Sequence, residues 1–325
     1  MSELRQDILT KEWIFFATDR DKRPYDFSKK SVEKDDTKST CPFCPGNEKV
    51  LPDIMYEKVS NGIWTVRAFA NKYPAVSYDE KEIKESSFYK NVKGVGLHEV
   101  IVDTPNHGEQ FCNFSDEHIF DVLYGIQQRF KEISLKDDLK YVQIFKNNGP
   151  EAGMSLIHSH WQIIGIPVIP IKLETSFLSC EKYFKENDRC LICDIVKNEK
   201  EEKVRFVYEN DNFVAFTPYA AKLSYEIWIV PKKHISSYAD FDNDELHSFG
   251  NIFKNILLRV SKINENVSYN VCFIDMPKNQ NKKYFHWYAK IYPRLGNFAG
   301  FEFATGSFIN PVMPENSAKF YRENI

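Results

Sequence analysis

Two copies of one pattern constrain this chain more than anything else in it: a Cys-x-x-Cys pair followed by two widely spaced histidines. The first copy is Cys41, Cys44, His107 and His158, and the second is Cys190, Cys193, His234 and His286. The last interval is 51 residues in the first copy and 52 in the second. A Cys-x-x-Cys turn aims two thiolates at one point, and two distant imidazoles complete a tetrahedron. That closed donor set suits zinc. A redox dithiol is the rival reading of such a pair, but it expects one pair and no matched histidines. Two metal sites are therefore expected, zinc in both, with iron as the alternative ion at the second. Each site would tie together segments far apart in the chain.

The elements around the ligands repeat as well. Each half shows strand patterns, a long helical pattern and two further strands. In the first half these are 63–76, 98–107, a helix over 116–135, 140–147 and 156–170. In the second they are 204–218, 225–234, a helix over 242–263, 267–277 and 285–295. Period-two apolar runs mark the strands, and apolar spacings of three and four mark the helices. An α+β fold of two halves follows, divided into residues 1–175 and 176–325. Glu99 precedes His107 by eight residues and Glu226 precedes His234 by eight, which matches His98 to Tyr225 and leaves His107 as the ligand. His118 and His247 fall on the polar sides of the helical patterns and are expected in solvent.

Composition narrows the partners. With a net charge of −3, no basic field exists to hold a polynucleotide, so nucleic acid is excluded as a partner. No stretch is long and apolar enough to span a membrane, and the first residues lack the apolar core of a secretion signal. A cytoplasmic protein is expected, and in that setting paired cysteines point to metal.

Residues 158–162 read His-Ser-His-Trp-Gln. On a strand His158, His160 and Gln162 share one face. If His158 holds a metal, His160 is pinned beside it as a nucleophile for phosphorus. In the second copy His286 stands at the place of His158, but Tyr288 stands at that of His160. A residue kept in one half only is chemical rather than structural. The preceding loop, 149–155, carries Gly149, Gly153 and Ser155, so it can offer backbone N–H groups and a hydroxyl to phosphate oxygens.

The five residues 158–162, the two Cys pairs and the stretches 19–27, 63–76, 98–107, 145–162 and 286–312 together resemble the galactose-1-phosphate uridylyltransferase family. That family is the transferase branch of the histidine-triad superfamily, and it includes ADP-glucose phosphorylase-like adenylyltransferases. The resemblance implies two histidine-triad-like halves, each an antiparallel sheet with helices on one face. It implies ping-pong transfer of UMP or AMP from a nucleoside diphosphate sugar, through a nucleotidyl-His160 intermediate, to a hexose 1-phosphate or phosphate. A UDP-glucose–hexose-1-phosphate uridylyltransferase is the leading form and an ADP-sugar phosphorylase the alternative. By motif position His160, Gln162 and Ser155 are catalytic, and Asn147 and Gly153 hold phosphates. Arg20, Arg23 and Asn71 lie near the nucleotide. Phe301 and Glu302 form a sugar-side pair that implies a homodimer, because the family takes that pair from the partner subunit. The carbonyl of Ser159 is expected to fix the His160 ring. Two departures separate the chain from the bacterial uridylyltransferases: Trp161, at a small-residue position, is expected to crowd the site, and Cys190 and Cys193 serve the second metal.

Readings of other classes remain. A zinc-stabilised nucleotide sensor would bind without turnover. A dinucleoside polyphosphate hydrolase would need a histidine where Gln162 stands. A structural zinc protein would leave the Gly/Ser loop without a purpose.

Overall fold

The computed structural model describes residues 2–18, 37–78 and 87–324. Its thirteen strands are β1 (Ser2–Gln6), β2 (Trp13–Ala17), β3 (Ile54–Ser60), β4 (Ile63–Ala70), β5 (Leu97–Val102), β6 (Tyr141–Asn148), β7 (His160–Ile166), β8 (Phe206–Glu209), β9 (Phe213–Phe216), β10 (Ile227–Pro231), β11 (Tyr269–Ile274), β12 (Tyr288–Pro293) and β13 (Phe308–Asn310). Six helices join them: α1 (Asp116–Ser134), α2 (Ile171–Asn187), α3 (Leu191–Glu202), α4 (Asn243–Val260), α5 (Gly300–Thr305) and α6 (Pro314–Glu323).

Ten strands form one sheet in the order β3-β4-β5-β7-β6-β11-β12-β10-β9-β8. Counted inward from either edge, the two halves have the same connectivity, and they meet where β6 pairs antiparallel with β11. The duplication thus builds one continuous sheet. Strands β1, β2 and β13 form a separate small sheet, with β2 and β13 parallel.

Helices α1 and α4 lie side by side on one face. Helix α1 starts at Ser115, whose side chain accepts from the His118 N–H, with Asp116 and Glu117 in the first turn. Helix α4 starts with a capping box between Asp242 and Glu245. These caps satisfy N–H groups that a helix end leaves unpaired, and the acids suit the positive end of the helix dipole. Ile119, Val122, Leu123, Ile126, Phe130 and Ile133 make one apolar stripe on α1; Leu246, Phe249, Ile252, Phe253, Ile256 and Val260 make the other on α4. Both stripes join one core with inward residues of both halves of the sheet. The helices cross at Gly250, where an added Cβ would lie 2.8 Å from Ile119 Cγ2.

The fold is α+β, and the long helices share one face. In the second half α2 and α3 also cover the opposite face, packing Phe177, Cys180, Leu191, Ile192 and Val196 on Val214, Phe216, Trp228 and Tyr288. The boundary expected between residues 175 and 176 falls within α2, a helix that the polar stretch 172–189 conceals.

Sheet register corrects the alignment of the halves by one residue. Val100 pairs with Phe69 on one side and Gln162 on the other, as Trp228 pairs with Phe216 and Lys290. Glu226 consequently stands where His98 stands, and the extra residue lies between β5 and His107. The eight-residue match of Glu99 to Glu226 compared residues on opposite faces.

Candidate active site and metal centres

His107 and His158 meet Cys41 and Cys44 in the first half, and His234 and His286 meet Cys190 and Cys193 in the second. Within each set the four donor atoms lie within 4.8 Å of one another. Cys44 Sγ is 3.3 Å from His107 Nδ1 and 3.5 Å from His158 Nδ1, and Cys41 Sγ is 3.6 Å from His158 Nδ1. Cys193 Sγ is 3.4 Å from His234 Nδ1 and 3.3 Å from His286 Nδ1. Metal–sulfur and metal–nitrogen bonds of about 2.3 and 2.0 Å at a tetrahedral angle give an S···N edge of about 3.5 Å. The five S···N distances lie close to that edge, so both sets suit such an ion. His158 Nε2 donates to the Thr104 carbonyl at 2.7 Å, and His234 Nε2 donates to that of Lys282 at 2.9 Å. Those protons leave Nδ1 as the lone-pair donor toward the metal.

His160 opens β7 and is 6% exposed. Its Nδ1 lies 2.8 Å from the carbonyl oxygen of His158, which only accepts, so the ring proton is on Nδ1 and the lone pair on Nε2. The carbonyl is that of His158, not Ser159: His158 precedes the strand, and the chain bends there so that the ring folds back two residues. Burial, opposed by this hydrogen bond, pushes the imidazole down to about 4, and the Lys146 ammonium adds to the fall. A neutral ring with a free Nε2 lone pair is a nucleophile. Phe43, between the two ligand cysteines, leans on the His160 ring at 5.4 Å between centroids. The loop that carries Cys41 and Cys44 therefore also walls the His160 ring.

Beneath this segment lies a buried ammonium. Lys146 Nζ donates to Asp103 Oδ2 at 2.8 Å, Ser159 Oγ at 2.7 Å and the His160 carbonyl at 3.2 Å. All three of its protons are used, which is the condition for keeping such a charge inside. Burial lowers the Lys146 pKa, and the Asp103 carboxylate opposes the change. Trp161 points to this side of the sheet. It is fully buried, 5.3 Å from Phe273 and 5.8 Å from Phe111 between centroids, with Lys146 Nζ 5.5 Å above its ring. Strand alternation thus carries Trp161 away from His160, and it does not crowd the site.

Gln162 and His98 share the other face with His160. Gln162 Oε1 is 2.9 Å from His98 Nε2, and Asn71 Nδ2 is 3.1 Å from the same nitrogen. Asn71 Oδ1 accepts the Tyr73 N–H at 2.9 Å. On β6, Asn147 pairs across to Asn270 of β11, whose Nδ2 donates to Asn147 Oδ1 and to the Ala152 carbonyl, both at 2.8 Å. The second half therefore braces the glycine loop of the first. Gly149 and Gly153 hold positive φ of 86° and 81° around a 3-10 turn at 150–152, and Ser155 follows, exposed. A Cβ on Gly149 would lie 2.2 Å from Ser268 Oγ and 2.9 Å from its Cα. Gly149→Ala should cost at least about 2 kcal/mol, from left-handed strain and the clash together. A thermal melt reads this as a fall in Tm of about 3 °C or more.

Phe301 and Glu302 lie on α5, where Phe301 packs edge-on against Phe15 at 5.3 Å. They line a cavity with Lys222, Phe298 and Phe308, and none of its lining residues belongs to the His160 site. Arg20 and Arg23 lie outside the described residues. His118 is half-buried and donates from Nε2 to the Asp103 carbonyl at 2.7 Å, so it is not a solvated residue. His247 is exposed but stacks on Phe120 at 4.0 Å.

Comparison with known proteins agrees with this arrangement. The galactose-1-phosphate uridyl transferase N-terminal domain matches residues 1–170, and its C-terminal domain matches 176–299. An ADP-glucose phosphorylase of Arabidopsis thaliana is 34% identical over 99% of this chain and 92% of its own length. A galactose-1-phosphate uridylyltransferase of Thermotoga maritima is 31% identical over 99% of this chain and 98% of its own. The crystal structure of an Arabidopsis thaliana ADP-glucose phosphorylase with bound ADP-glucose superposes with a TM-score of 0.87, at 32% identity over 99% of both chains.

Proposed function

The chain belongs to the galactose-1-phosphate uridyl transferase family, and from that membership we propose that it moves a nucleoside monophosphate between phosphates through His160. The observation that carries the reading is the tautomer. Nδ1–H is spent on the His158 carbonyl, which frees Nε2 for the α-phosphorus of a nucleoside diphosphate sugar. The N–P bond forms as the bond to the bridging oxygen breaks, and that oxygen leaves on a sugar 1-phosphate with the electron pair. The hydrogen bond to His158 then stabilises the positive charge on the ring. In the second step an oxygen of phosphate or hexose 1-phosphate displaces His160. A phosphoramidate keeps its transfer potential, so the exchange is reversible. Gln162, Asn147, Ser155 and the backbone at Gly153 are the donors proposed for the phosphoryl oxygens. They stabilise developing charge, and Gln162 has no acidic proton to assist water.

Cys41, Cys44, His107 and His158 would hold one zinc, and Cys190, Cys193, His234 and His286 another. The ions clamp distant segments and supply no step. The same reading takes Asn71, Arg20 and Arg23 toward the nucleotide. It has Phe301 and Glu302 serve a partner subunit's site in a homodimer, and it places the enzyme in the cytoplasm. Among the described residues no helix is long and apolar enough to cross a membrane. The units of the duplication would be 1–175 and 176–325.

An ADP-sugar is the favoured donor. Support comes from the likeness to the ADP-glucose phosphorylase, in sequence over 99% of this chain and in fold at a TM-score of 0.87. A UDP-sugar is the second reading, supported by the Thermotoga maritima relative. Exchange assays should separate them: ADP-glucose with phosphate is expected to turn over at least about tenfold faster than UDP-glucose with galactose 1-phosphate, a difference of about 1.4 kcal/mol. The reverse order would install the uridylyl reading. Turnover of neither pair, or release of free nucleotide by water alone, would overturn both.

A further inference from the structure

We infer that His98 is a positioning residue for nucleotidyl transfer: it holds the carbonyl end of Gln162 so that the amide NH2 is left for phosphate. This role rests on the transfer reading above.

A carboxamide is ambiguous, because one end accepts and the other donates. A site for a phosphoryl group needs donors only, and a rotated Gln162 would aim an oxygen at an oxygen. The tautomer of His98 removes the ambiguity. The backbone N–H of Ala75 points at His98 Nδ1 from 3.1 Å, and a backbone N–H can only donate. Nδ1 is therefore the acceptor and Nε2 carries the proton. Gln162 Oε1, 2.9 Å away, is the acceptor for that proton; Asn71 Nδ2, 3.1 Å from the same nitrogen, is a donor and cannot take it. Having spent its oxygen there, Gln162 keeps its NH2 for a ligand. His98 is itself 9% exposed, so water does not compete strongly for Nε2–H.

The same device recurs at the other amide. Asn147 Oδ1 is occupied by Asn270 Nδ2 at 2.8 Å, and Asn270 Oδ1 accepts in turn from Arg294 at 3.2 Å. Both amides of the proposed phosphate site are thus polarised alike by neighbours that would not touch the substrate.

The duplicated half supplies an internal control. By register Glu226 replaces His98, Lys290 replaces Gln162 and Tyr288 replaces His160. Orienter, amide and nucleophile are absent together from the half whose equivalent face is filled by Trp228 and Tyr288, stacked at 4.7 Å. A histidine needed only for packing would have no reason to follow the nucleophile.

Two substitutions divide the ring's functions. His98→Asn keeps an acceptor near Nδ1 for Ala75 but loses the donor to Gln162. His98→Gln places an amide N–H near the position of Nε2 and keeps that donor. Transfer kcat should fall about 10- to 100-fold in His98→Asn, with KM and Tm changed little, and His98→Gln should recover most of it. In a Gln162→Ala background His98→Asn should have no further effect, because nothing remains to orient. Equal losses in both His98 variants, or a His98→Asn loss that persists in Gln162→Ala, would make His98 structural and overturn the role. A wild-type protein that forms no nucleotidyl adduct would overturn the transfer reading itself, and the role with it.

Discussion

Replacing His160 by glycine should lower nucleotidyl transfer by about four orders of magnitude or more, because no other side chain offers a free imidazole lone pair at the site. The metal content should stay at one ion in each of the two Cys/His sets. His160 is not in either set, and its ring hydrogen-bonds to the His158 carbonyl rather than to any of the eight set residues' donor atoms. Stability should fall modestly. Glycine at the start of β7 costs about 1 kcal/mol of backbone entropy, and the Phe43 ring loses the surface it leans on. Steady-state rates, elemental analysis and a thermal melt on one preparation check the three parts together. Loss of an ion in step with activity would mean that His160 is a ligand.

Cys44→Ala should have the largest effect on stability. Cys44 Sγ contacts the Nδ1 atoms of both His107 and His158. It therefore joins the loop at 41–44 to the segment after β5 and to the entry of β7. Structural zinc contributes about 10 kcal/mol or more to the folding of small zinc peptides. In a larger core the share lost is expected to be several kcal/mol, a fall in Tm of roughly 5–10 °C. Metal content should drop from two ions per chain to one, the second set being built from other segments. Transfer should fall too, since Phe43 comes loose from the His160 ring. An unchanged metal content with an unchanged Tm would remove the first set as a metal site.

Much of this was legible in the sequence because the constraints are local or repeated. Both ligand sets followed from matched spacing, and the order of long strands and helices followed from periodicity. Strand alternation placed His158, His160 and Gln162, although His158 lies just before the strand. What failed was register. A one-residue slip turns a side chain to the other face, and the match of Glu99 with Glu226 hid that His98 corresponds to Glu226. His98 and Gln162 lie on a diagonal between β5 and β7, which no linear spacing reveals. Asn270 comes from the other half and reaches Asn147 only because β11 adds to β6. The identity of Trp161 alone suggests crowding, whereas alternation sends its ring into the helical core. Helix α2 escaped notice because its exposed face is polar and only Ser176, Phe177 and Cys180 are buried. The small sheet of β1, β2 and β13 escaped because its strands are three to five residues long, and β13 lies about three hundred residues from β1.

Intact-mass spectrometry after brief incubation with a nucleotide sugar and no acceptor tests the central claim most directly. The wild-type protein should gain one nucleotidyl group per chain, adenylyl from ADP-glucose or uridylyl from UDP-glucose. The modified peptide should map to His160, and added phosphate or hexose 1-phosphate should discharge it. Absence of any adduct with either donor, while exchange still proceeds, would contradict a covalent route through His160; so would an adduct of equal yield in His160→Gly.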